Sequence, residues 1–189
     1  TIGKAVQVII NVERKNYIHF EIYSADPNEA STSSWEFHCQ GNALLFKNEP
    51  ELSSLKNTFP SYFDDFPVHF NKEEHYKMME NGGVYYGERF RGVQEIWANS
   101  EKAIGKIDAI DKVKEAAKSY HVHPAILDAC FQVCMASLSR QEKNSNETYL
   151  PSGIETFYIK PDATFEKPLW VCIDNVNEAE IVLDVHTKN

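Results

Sequence analysis

The segment from Pro124 to Ser139 limits the possible folds of this chain more than any other, because its apolar residues fall on every face of a helix. A proline is well placed at the first helical position, since its missing N–H would be unpaired there in any case. A helix that is apolar all round is buried in a core, covered by a sheet or by other helices. The sequence therefore predicts one central helix over this segment, with other elements wrapped around it.

Two polar residues, Asp128 and Gln132, interrupt this apolar helix. They are four residues apart and therefore neighbours on one face. Burial of an unpaired carboxylate costs several kcal/mol or forces the group to take up a proton. One interpretation is structural: Asp128 pairs with a nearby arginine or caps a neighbouring loop, with Gln132 as its hydrogen-bond partner. The other is functional: a protonated, desolvated Asp128 acts as a general acid that Gln132 holds in orientation.

The first 46 residues alternate apolar and polar side chains in three runs, with polar spacers between them. This pattern predicts three strands of an antiparallel meander. Three strands need a helix or a second sheet to cover them. No helix is predicted within residues 1–46, so the covering element is expected elsewhere.

The rest of the chain alternates between linker, helix and strand patterns. Residues 47–70 contain three prolines and little periodicity, which predicts a linker that crosses a surface. A helix is predicted over Lys72–Glu80, and it stops at two glycines. The other predicted elements are a strand over Phe90–Ala98, a partly helical segment over Ser100–Ser119, and closing strands over Tyr149–Ile159, Leu169–Asp174 and Glu180–His186.

Charge and cysteine content exclude several classes of function. Of the 189 residues, 19 are basic and 28 acidic, which gives a net charge of −9 and makes nucleic acid an unlikely partner. The longest apolar runs are too short to span a bilayer, and the N-terminus lacks the layout of a signal peptide. Cys130 and Cys134 lie in an apolar run without a CxxC pair, which favours buried reduced thiols over a disulfide or metal site. A cytoplasmic protein without a metal is expected.

Four short motifs resemble those of dehydratase domains from modular type I polyketide synthases. The central one, His123 to Gln132, is similar to the HPxxLDxxxQ motif of that family. The others are Tyr86 to Gly92, which resembles YGxxFxG, Leu150 to Ile154, which resembles the LP-containing strand that follows the motif helix, and Trp35 to Gly41, which resembles WxxHxxG. All four occur in the order that the family has, over essentially the whole chain.

The resemblance implies an α+β fold known as a double hot dog, in which two antiparallel sheets each wrap around a central helix. Residues 71–189 would form one complete hot dog around the helix that begins at Pro124. Residues 1–46 would be the trailing strands of the first hot dog, joined by the linker 47–70. The helix of that first hot dog would lie upstream of Thr1.

The resemblance also implies a reaction: loss of water from a β-hydroxyacyl thioester that an acyl carrier protein holds on its phosphopantetheine arm, with no other cofactor. Asp128 would be the acid, Gln132 its support, and Tyr86 a hydrogen-bonding group near the departing hydroxyl. Gly87 would allow a close backbone approach, and Phe90, Pro151 and Gly153 would shape the acyl tunnel. The partners would be the carrier protein, other synthase domains and a second copy in the parent protein. His38 and His123 are expected to be structural.

The sequence departs from the family in one respect. The family's general base is a histidine in an HxxxGxxxxP motif, and none of the seven histidines here has that spacing. We expect the base to lie upstream of this chain, so that the chain by itself is inactive. An isomerase or a cyclase on the same scaffold, or a non-catalytic hot dog that binds acyl chains, would share the same helix.

Overall fold

The computed structural model describes residues 3–14, 16–29, 35–44, 63, 65–99, 102–138, 151–159, 165, 167–174 and 182–187. The chain divides into two units, Thr1–Ser53 and Ser54–Asn189. Each unit is built around an antiparallel sheet, and each is described by itself below.

Unit 1 is a three-stranded meander of β1 (Ala5–Arg14), β2 (Tyr17–Ala25) and β3 (Glu36–Leu44) in that spatial order. Both pairs of strands are antiparallel, which confirms the prediction for this part of the sequence. Its described residues include a short 3₁₀ helix at Pro27–Glu29 but no α-helix. Within that described part, unit 1 therefore presents alternating strand residues with no α-helix to cover them.

The described residues of unit 2 form a five-stranded antiparallel sheet and three α-helices. The strands, in spatial order, are β4 (Val68–Asn71), β5 (Val93–Ala98), β6 (Ala103–Ile107), β7 (Leu169–Asp174) and β8 (Val182–Thr187). The helices are α1 (Lys72–Asn81), α2 (Asp111–Ala117) and α3 (Pro124–Leu138). The predicted central helix is thus confirmed as α3.

Helix α3 lies against β5, β6 and β7 and forms the core of unit 2 with them. Ile96, Ala129, Val133 and Val171 are all completely buried. The helix comes so close to the sheet that a Cβ atom added at Gly105 would overlap the side chain of Val133. The observed arrangement is the one that the all-round apolar sequence predicts, a sheet wrapped around a buried helix.

Helix α1 is held at its start by a reciprocal capping box. The Asn71 side chain accepts a hydrogen bond from the backbone N–H of Glu74, and the Glu74 carboxylate accepts one from the N–H of Asn71, both at 3.0 Å. Such a box satisfies two N–H groups that a helix otherwise leaves unpaired. The buried face of α1 consists of His75, Tyr76 and Met79, so the cap also fixes where these side chains enter the core.

Two predicted strands need correction, and one strand was not predicted. The segment Ser100–Ser119 is partly helical as predicted, since it contains α2, but strand β6 precedes that helix because its short apolar run is paired between β5 and β7. Residues 151–159 form no strand, since none of the described strands pairs with them. The strand expected from Phe90 begins only at Val93, after a 3₁₀ helix at Glu88–Phe90.

The expected linker 47–70 overlaps the start of β4, because residues 68–70 are paired with β5. Its aromatic residue Phe63 contacts the rings of Trp97 and Trp170, with centroid distances of 4.6 and 6.0 Å. Most of the linker, residues 47–62, lies outside the described residues.

Candidate active site

The carboxyl group of Asp128 lies on α3, one turn before Gln132. The side-chain amide of Gln132 donates a hydrogen bond to Asp128 Oδ2 at 2.7 Å. Within the described part of the chain, the other carboxyl oxygen, Oδ1, has no hydrogen-bond partner and no arginine pairs with it. The structure thus brings the two residues together as their spacing predicts, and Oδ1 is left without a hydrogen-bond partner among the described residues.

Asp128 is half-buried, whereas the sequence predicts a fully sequestered group. Burial raises the pKa of its carboxyl group above the ordinary value, and the hydrogen bond from Gln132 opposes that rise without cancelling it. Burial penalises the charged form, while an N–H donor stabilises it. A carboxyl group in this position retains its proton to a higher pH than a solvated one, and part of the residue stays exposed.

The side chain of Gln132 is almost completely buried and all of its polar groups are paired. Its Nε2 group also donates to the backbone carbonyl of Phe90 at 2.9 Å. Its Oε1 atom accepts from the Tyr76 hydroxyl at 3.0 Å and from His75 Nε2 at 3.4 Å. Because a carbonyl can only accept, the contact with Phe90 decides which end of the amide is nitrogen. The N–H donor toward Asp128 is therefore fixed by its surroundings.

Tyr76 lies under this amide, on the buried face of α1. Its hydroxyl oxygen accepts a hydrogen bond from the backbone N–H of Val93 at 3.0 Å. Burial raises the pKa of the Tyr76 hydroxyl far above its ordinary value, so the group keeps its proton and serves as a donor. The guanidinium group of Arg91 lies 5.2 Å from the centre of the ring.

His75, next to Tyr76, is completely buried. Burial lowers the pKa of its imidazole to about 4, so the ring is neutral near neutral pH. Since Gln132 Oε1 accepts from Nε2, the proton is on that nitrogen, and the buried Nδ1 atom has no partner among the described residues. A ring with no exposed surface cannot take a proton from a substrate, so His75 is a structural neighbour of the site.

Tyr86 is half-buried and packs edge-to-face against Tyr76, with ring centroids 5.9 Å apart. Burial raises the pKa of its hydroxyl, and the negative charge of Asp128 adds to that rise. The Tyr86 hydroxyl thus lies within electrostatic range of Asp128, and its predicted role near the departing hydroxyl stays a prediction. The loop that carries Tyr86 is held by Arg91, which donates to the Tyr86 carbonyl at 3.1 Å and pairs with Glu80 at 2.6 Å.

The structure does not gather the other predicted ligand-binding residues at this site. Phe90 contributes its carbonyl group to Gln132, while its side chain is 40% exposed and does not fill the core. A Cβ atom added at Gly87 or Gly153 would meet no atom within 4 Å, so neither position requires glycine for space. Pro151 is exposed as well. The roles predicted for these side chains rest on the motifs alone.

Other motif residues near the start of α3 have structural partners. Nδ1 of His123 accepts the backbone N–H of Ala125 at 3.1 Å, which caps the helix. Cys130 and Cys134 are buried thiols outside any disulfide, and burial raises the pKa of each to about 12. In the part of the chain that the structure describes, no cluster of metal-ligating side chains is present and no helix is long and apolar enough to cross a membrane.

Sequence reasoning missed His75 and Tyr76 because they lie 57 and 56 residues before Gln132. Their contact with it is made only when α1 packs beside α3. One signal was present: in the otherwise charged helix 72–81, His75, Tyr76 and Met79 share one face. A polar pair on the buried face of a short helix indicates that a polar hydrogen-bond partner lies in the core.

A sheet wrapped around one central helix is the hot-dog arrangement that the motifs imply. The family model described as "Polyketide synthase dehydratase N-terminal domain" matches residues 57–187. The chain belongs to this family, which confirms both the resemblance of its motifs and the α+β hot-dog fold.

Individual relatives agree with this assignment. Polyketide synthase GfsE from Streptomyces halstedii is 25% identical over 150 residues, which cover 78% of this chain and 4% of GfsE. Two solved structures are inactive mutants of the CurK dehydratase, one with histidine replaced by phenylalanine and one with aspartate replaced by asparagine. They superpose with TM-scores of 0.72 and 0.69, at 26% and 25% identity, and each match covers 95% of this chain and 61% of the CurK domain. The chain thus spans about three-fifths of a solved dehydratase domain.

Proposed function

We propose that this chain supplies the acid of a polyketide synthase dehydratase. The reaction removes water from a β-hydroxyacyl thioester that an acyl carrier protein holds on its phosphopantetheine arm, and it needs no other cofactor. The observation that carries the proposal is the geometry of Asp128: one carboxyl oxygen is held by Gln132 at 2.7 Å, and the other has no hydrogen-bond partner among the described residues.

In the proposed step, a base removes the proton from the α-carbon of the acyl chain. The electron pair of that C–H bond forms the double bond between the α- and β-carbons, and the bond from the β-carbon to the hydroxyl oxygen breaks. Asp128 gives its proton to the departing hydroxyl, which leaves as water. One proton then passes from the base back to Asp128, and both groups regain their starting states.

The surroundings of Asp128 suit this task. A raised pKa favours a carboxyl group that carries a proton to donate, as a general acid must. Gln132 occupies Oδ2, so a proton on the carboxyl group resides on Oδ1. The Tyr86 hydroxyl, which also keeps its proton, can donate a hydrogen bond to the same departing oxygen. We assign to Gln132 the role of a positioning residue.

The proposal places the base on a histidine outside residues 1–189. The missing HxxxGxxxxP motif supports this assignment, and so do the positions of three of the histidines. His75 has no exposed surface, His123 caps α3, and His38 bonds to Ser24 in unit 1 at 2.7 Å. The CurK dehydratase mutants support the pairing as well, since in that protein one inactive mutant lacks a histidine and the other an aspartate.

The wider setting follows from the family. We propose that the carrier protein and the other domains of a polyketide synthase are the partners, that the parent protein is a homodimer, and that it works in the cytoplasm. The support is the similarity to polyketide synthase GfsE. The region that matches this chain is only 4% of GfsE, so most of that synthase lies outside the matched region.

The test is the substitution Asp128→Asn in the full-length natural protein, with a β-hydroxyacyl group loaded on the carrier protein. Mass spectrometry of the carrier follows the loss of water. We expect the variant to fold and to lose dehydration by roughly a hundredfold to ten-thousandfold, the range that a positioned general acid typically contributes. The matched control is Asp111→Asn, at the exposed start of α2, which should retain activity.

Each other outcome is informative. Full activity of Asp128→Asn would remove this carboxyl group from the reaction. Isomerisation or ring closure of the acyl chain by the wild type, without loss of water, would point to a different enzyme on the same scaffold. Binding of the acyl chain without any conversion would indicate a non-catalytic hot dog. Turnover by residues 1–189 alone would mean that one of their own histidines is the base.

A further inference from the structure

A continuous series of hydrogen bonds runs from the backbone of β5 to the carboxyl group of Asp128. The N–H of Val93 donates to the Tyr76 hydroxyl at 3.0 Å. The hydroxyl donates to Gln132 Oε1 at 3.0 Å, and Gln132 Nε2 donates to Asp128 Oδ2 at 2.7 Å. The sheet, α1 and α3 each contribute one part of this series, so it depends on the packing of all three elements.

The direction of every bond in the series is determined. A backbone N–H can only donate, so the oxygen of Tyr76 accepts from Val93 and its own proton points elsewhere. The Tyr76 hydroxyl oxygen lies 3.0 Å from Gln132 Oε1 and 3.3 Å from the Phe90 carbonyl oxygen. The nearer acceptor for its proton is therefore Gln132 Oε1. A flipped Gln132 amide would place two acceptors, Oε1 and the Phe90 carbonyl, against each other. Asp128 Oδ2 therefore always faces an N–H donor.

We propose that Tyr76 is a positioning residue for the reaction, which acts through Gln132 to hold Asp128 with one carboxyl oxygen engaged and the other free for the substrate. This inference rests on the proposed role of Asp128 as the acid. Tyr76 touches neither Asp128 by a hydrogen bond nor any open surface, because its side chain is only 3% exposed. Its effect on the reaction therefore passes through the amide.

A purely structural role for Tyr76 makes a different prediction. Its ring packs in the core of unit 2, beside His75 and Tyr86. If packing were its whole contribution, removal of the hydroxyl would lower stability but leave the pKa of Asp128 unchanged. A positioning role changes the environment of that carboxyl group even in fully folded protein.

The test is Tyr76→Phe, which keeps the ring and removes the hydroxyl. We expect kcat for dehydration to fall about tenfold with KM changed by less than about twofold, because the loss affects the orientation of the acid and not the binding of the acyl chain. The alkaline limb of the pH profile should move to higher pH. A weaker hydrogen bond from the Gln132 N–H stabilises the Asp128 carboxylate less, so Asp128 keeps its proton to a higher pH.

A second readout does not depend on activity. Carbon-13 NMR follows the carboxyl signal of Asp128 during a pH titration, with Asp128→Asn to assign the signal. In Tyr76→Phe its midpoint should rise by about half a pH unit or more, as expected when a hydrogen bond to the charged form weakens. An unchanged midpoint in folded Tyr76→Phe would overturn the inference. If instead Asp128→Asn is fully active, the proposed function fails, whatever the titration shows.

The matched control is Tyr23→Phe in unit 1. This tyrosine also loses a hydrogen-bonding hydroxyl, which donates to Glu21 at 2.8 Å, but it should change neither readout. Should Tyr76→Phe not fold, His75→Leu removes the longer bond to the same Gln132 Oε1, at 3.4 Å. It should move the Asp128 midpoint in the same direction by a smaller amount, and no movement would contradict the inference.

Discussion

The two units begin from the same kind of sequence and reach different degrees of burial. Both contain antiparallel strands with alternating apolar residues. In unit 2 the inward side chains of β5 and β7, such as Val93 and Val171, are completely buried. In unit 1, Val8 and Val12 on β1 are 53% and 68% exposed. The difference is the helix: unit 2 has α3 against its sheet, and the described residues of unit 1 contain no α-helix. Alternation specifies strands, but burial requires a covering element.

The same helix carries the proposed acid, which links the stability of unit 2 to its chemistry. The polar residues on α3 are tolerated in a core because their hydrogen bonds are made by His75, Tyr76 and the Phe90 carbonyl. A buried polar group without such partners would lower the free energy of unfolding. The site is therefore part of the core packing of unit 2, and unit 1 has no counterpart to it among the described residues.

The largest expected effect is at Gly105, where β6 meets α3. Gly105→Ala should destabilise unit 2 by about 3 kcal/mol, the upper part of the range for overpacking a core. The added Cβ would overlap a Val133 side chain that is stiff because it is β-branched in a helix. Urea unfolding, followed by hydrogen exchange of the β5 and β6 amides, measures the effect.

Its counterpart in unit 1 is Gly41→Ala. The added Cβ there would meet the tip of the Phe20 ring at 2.7 Å, and a half-buried ring at a sheet surface can turn aside. A smaller loss, below about 1 kcal/mol, is expected because surface changes away from a packed core cost little. The double variant Gly105→Ala, Val133→Ala should recover part of the lost stability. If Gly105→Ala and Gly41→Ala lost equal stability, packing against α3 would not be what makes unit 2 more sensitive to an added Cβ than unit 1.

Much of this contrast could be predicted from the sequence. The all-round apolar pattern placed α3 to within one residue, and the four-residue spacing placed Gln132 beside Asp128. These features depend on neighbouring residues along the chain, where periodicity carries the information. The three strands of unit 1 were predicted for the same reason.

The rest depends on contacts between distant parts of the chain. Strand β6 is only five residues long and is defined by its partners β5 and β7. Phe90 acts through its carbonyl group, which its side-chain type does not reveal. The contacts of His75 and Tyr76 with Gln132 join α1 to α3 across more than fifty residues. Tertiary packing decides such contacts, so sequence patterns alone could not supply them.

A second expected difference between the units is their response to acid. The pKa of His75 is lowered to about 4 by burial, from 6.5 in an unfolded chain. A depressed histidine pKa gives stability that is present above pH 6.5 and is lost as the pH falls toward 4, because only the unfolded state takes up the proton in that window. Unit 2 should lose about 2 kcal/mol between pH 7 and pH 5 through this group.

The check is urea unfolding at several pH values, with hydrogen exchange to separate the units. In the wild type, the amides of β5 and β6 should lose protection below pH 6.5, whereas those of β1 and β2 should not show this loss. The variant His75→Leu should lack this part of the pH dependence. If the free energy of unfolding of His75→Leu fell with pH as steeply as that of the wild type, the acid sensitivity would belong to another group.

The smallest expected effect concerns Asp128 and separates stability from activity. Its pKa is raised above the ordinary value of 3.8, mainly by burial. A raised pKa means that the folded state favours the protonated form, so the group's contribution to stability is full below pH 3.8 and is lost as the pH rises through the folded pKa. At neutral pH the carboxyl group is therefore a small cost to stability, and Asp128→Asn should stabilise unit 2 by less than about 1 kcal/mol, since the group is half-exposed and screened.

The pH dependence decides whether burial is the cause. The gain from Asp128→Asn should shrink as the pH falls and vanish below about pH 3.8, where both side chains are neutral. Urea unfolding of the two proteins at neutral and acidic pH measures it. Destabilisation at neutral pH would mean that the hydrogen bond from Gln132 to the carboxylate outweighs the cost of burying it. A variant that is more stable and inactive would instead indicate that unit 2 keeps a costly acid in its core helix because the reaction needs it.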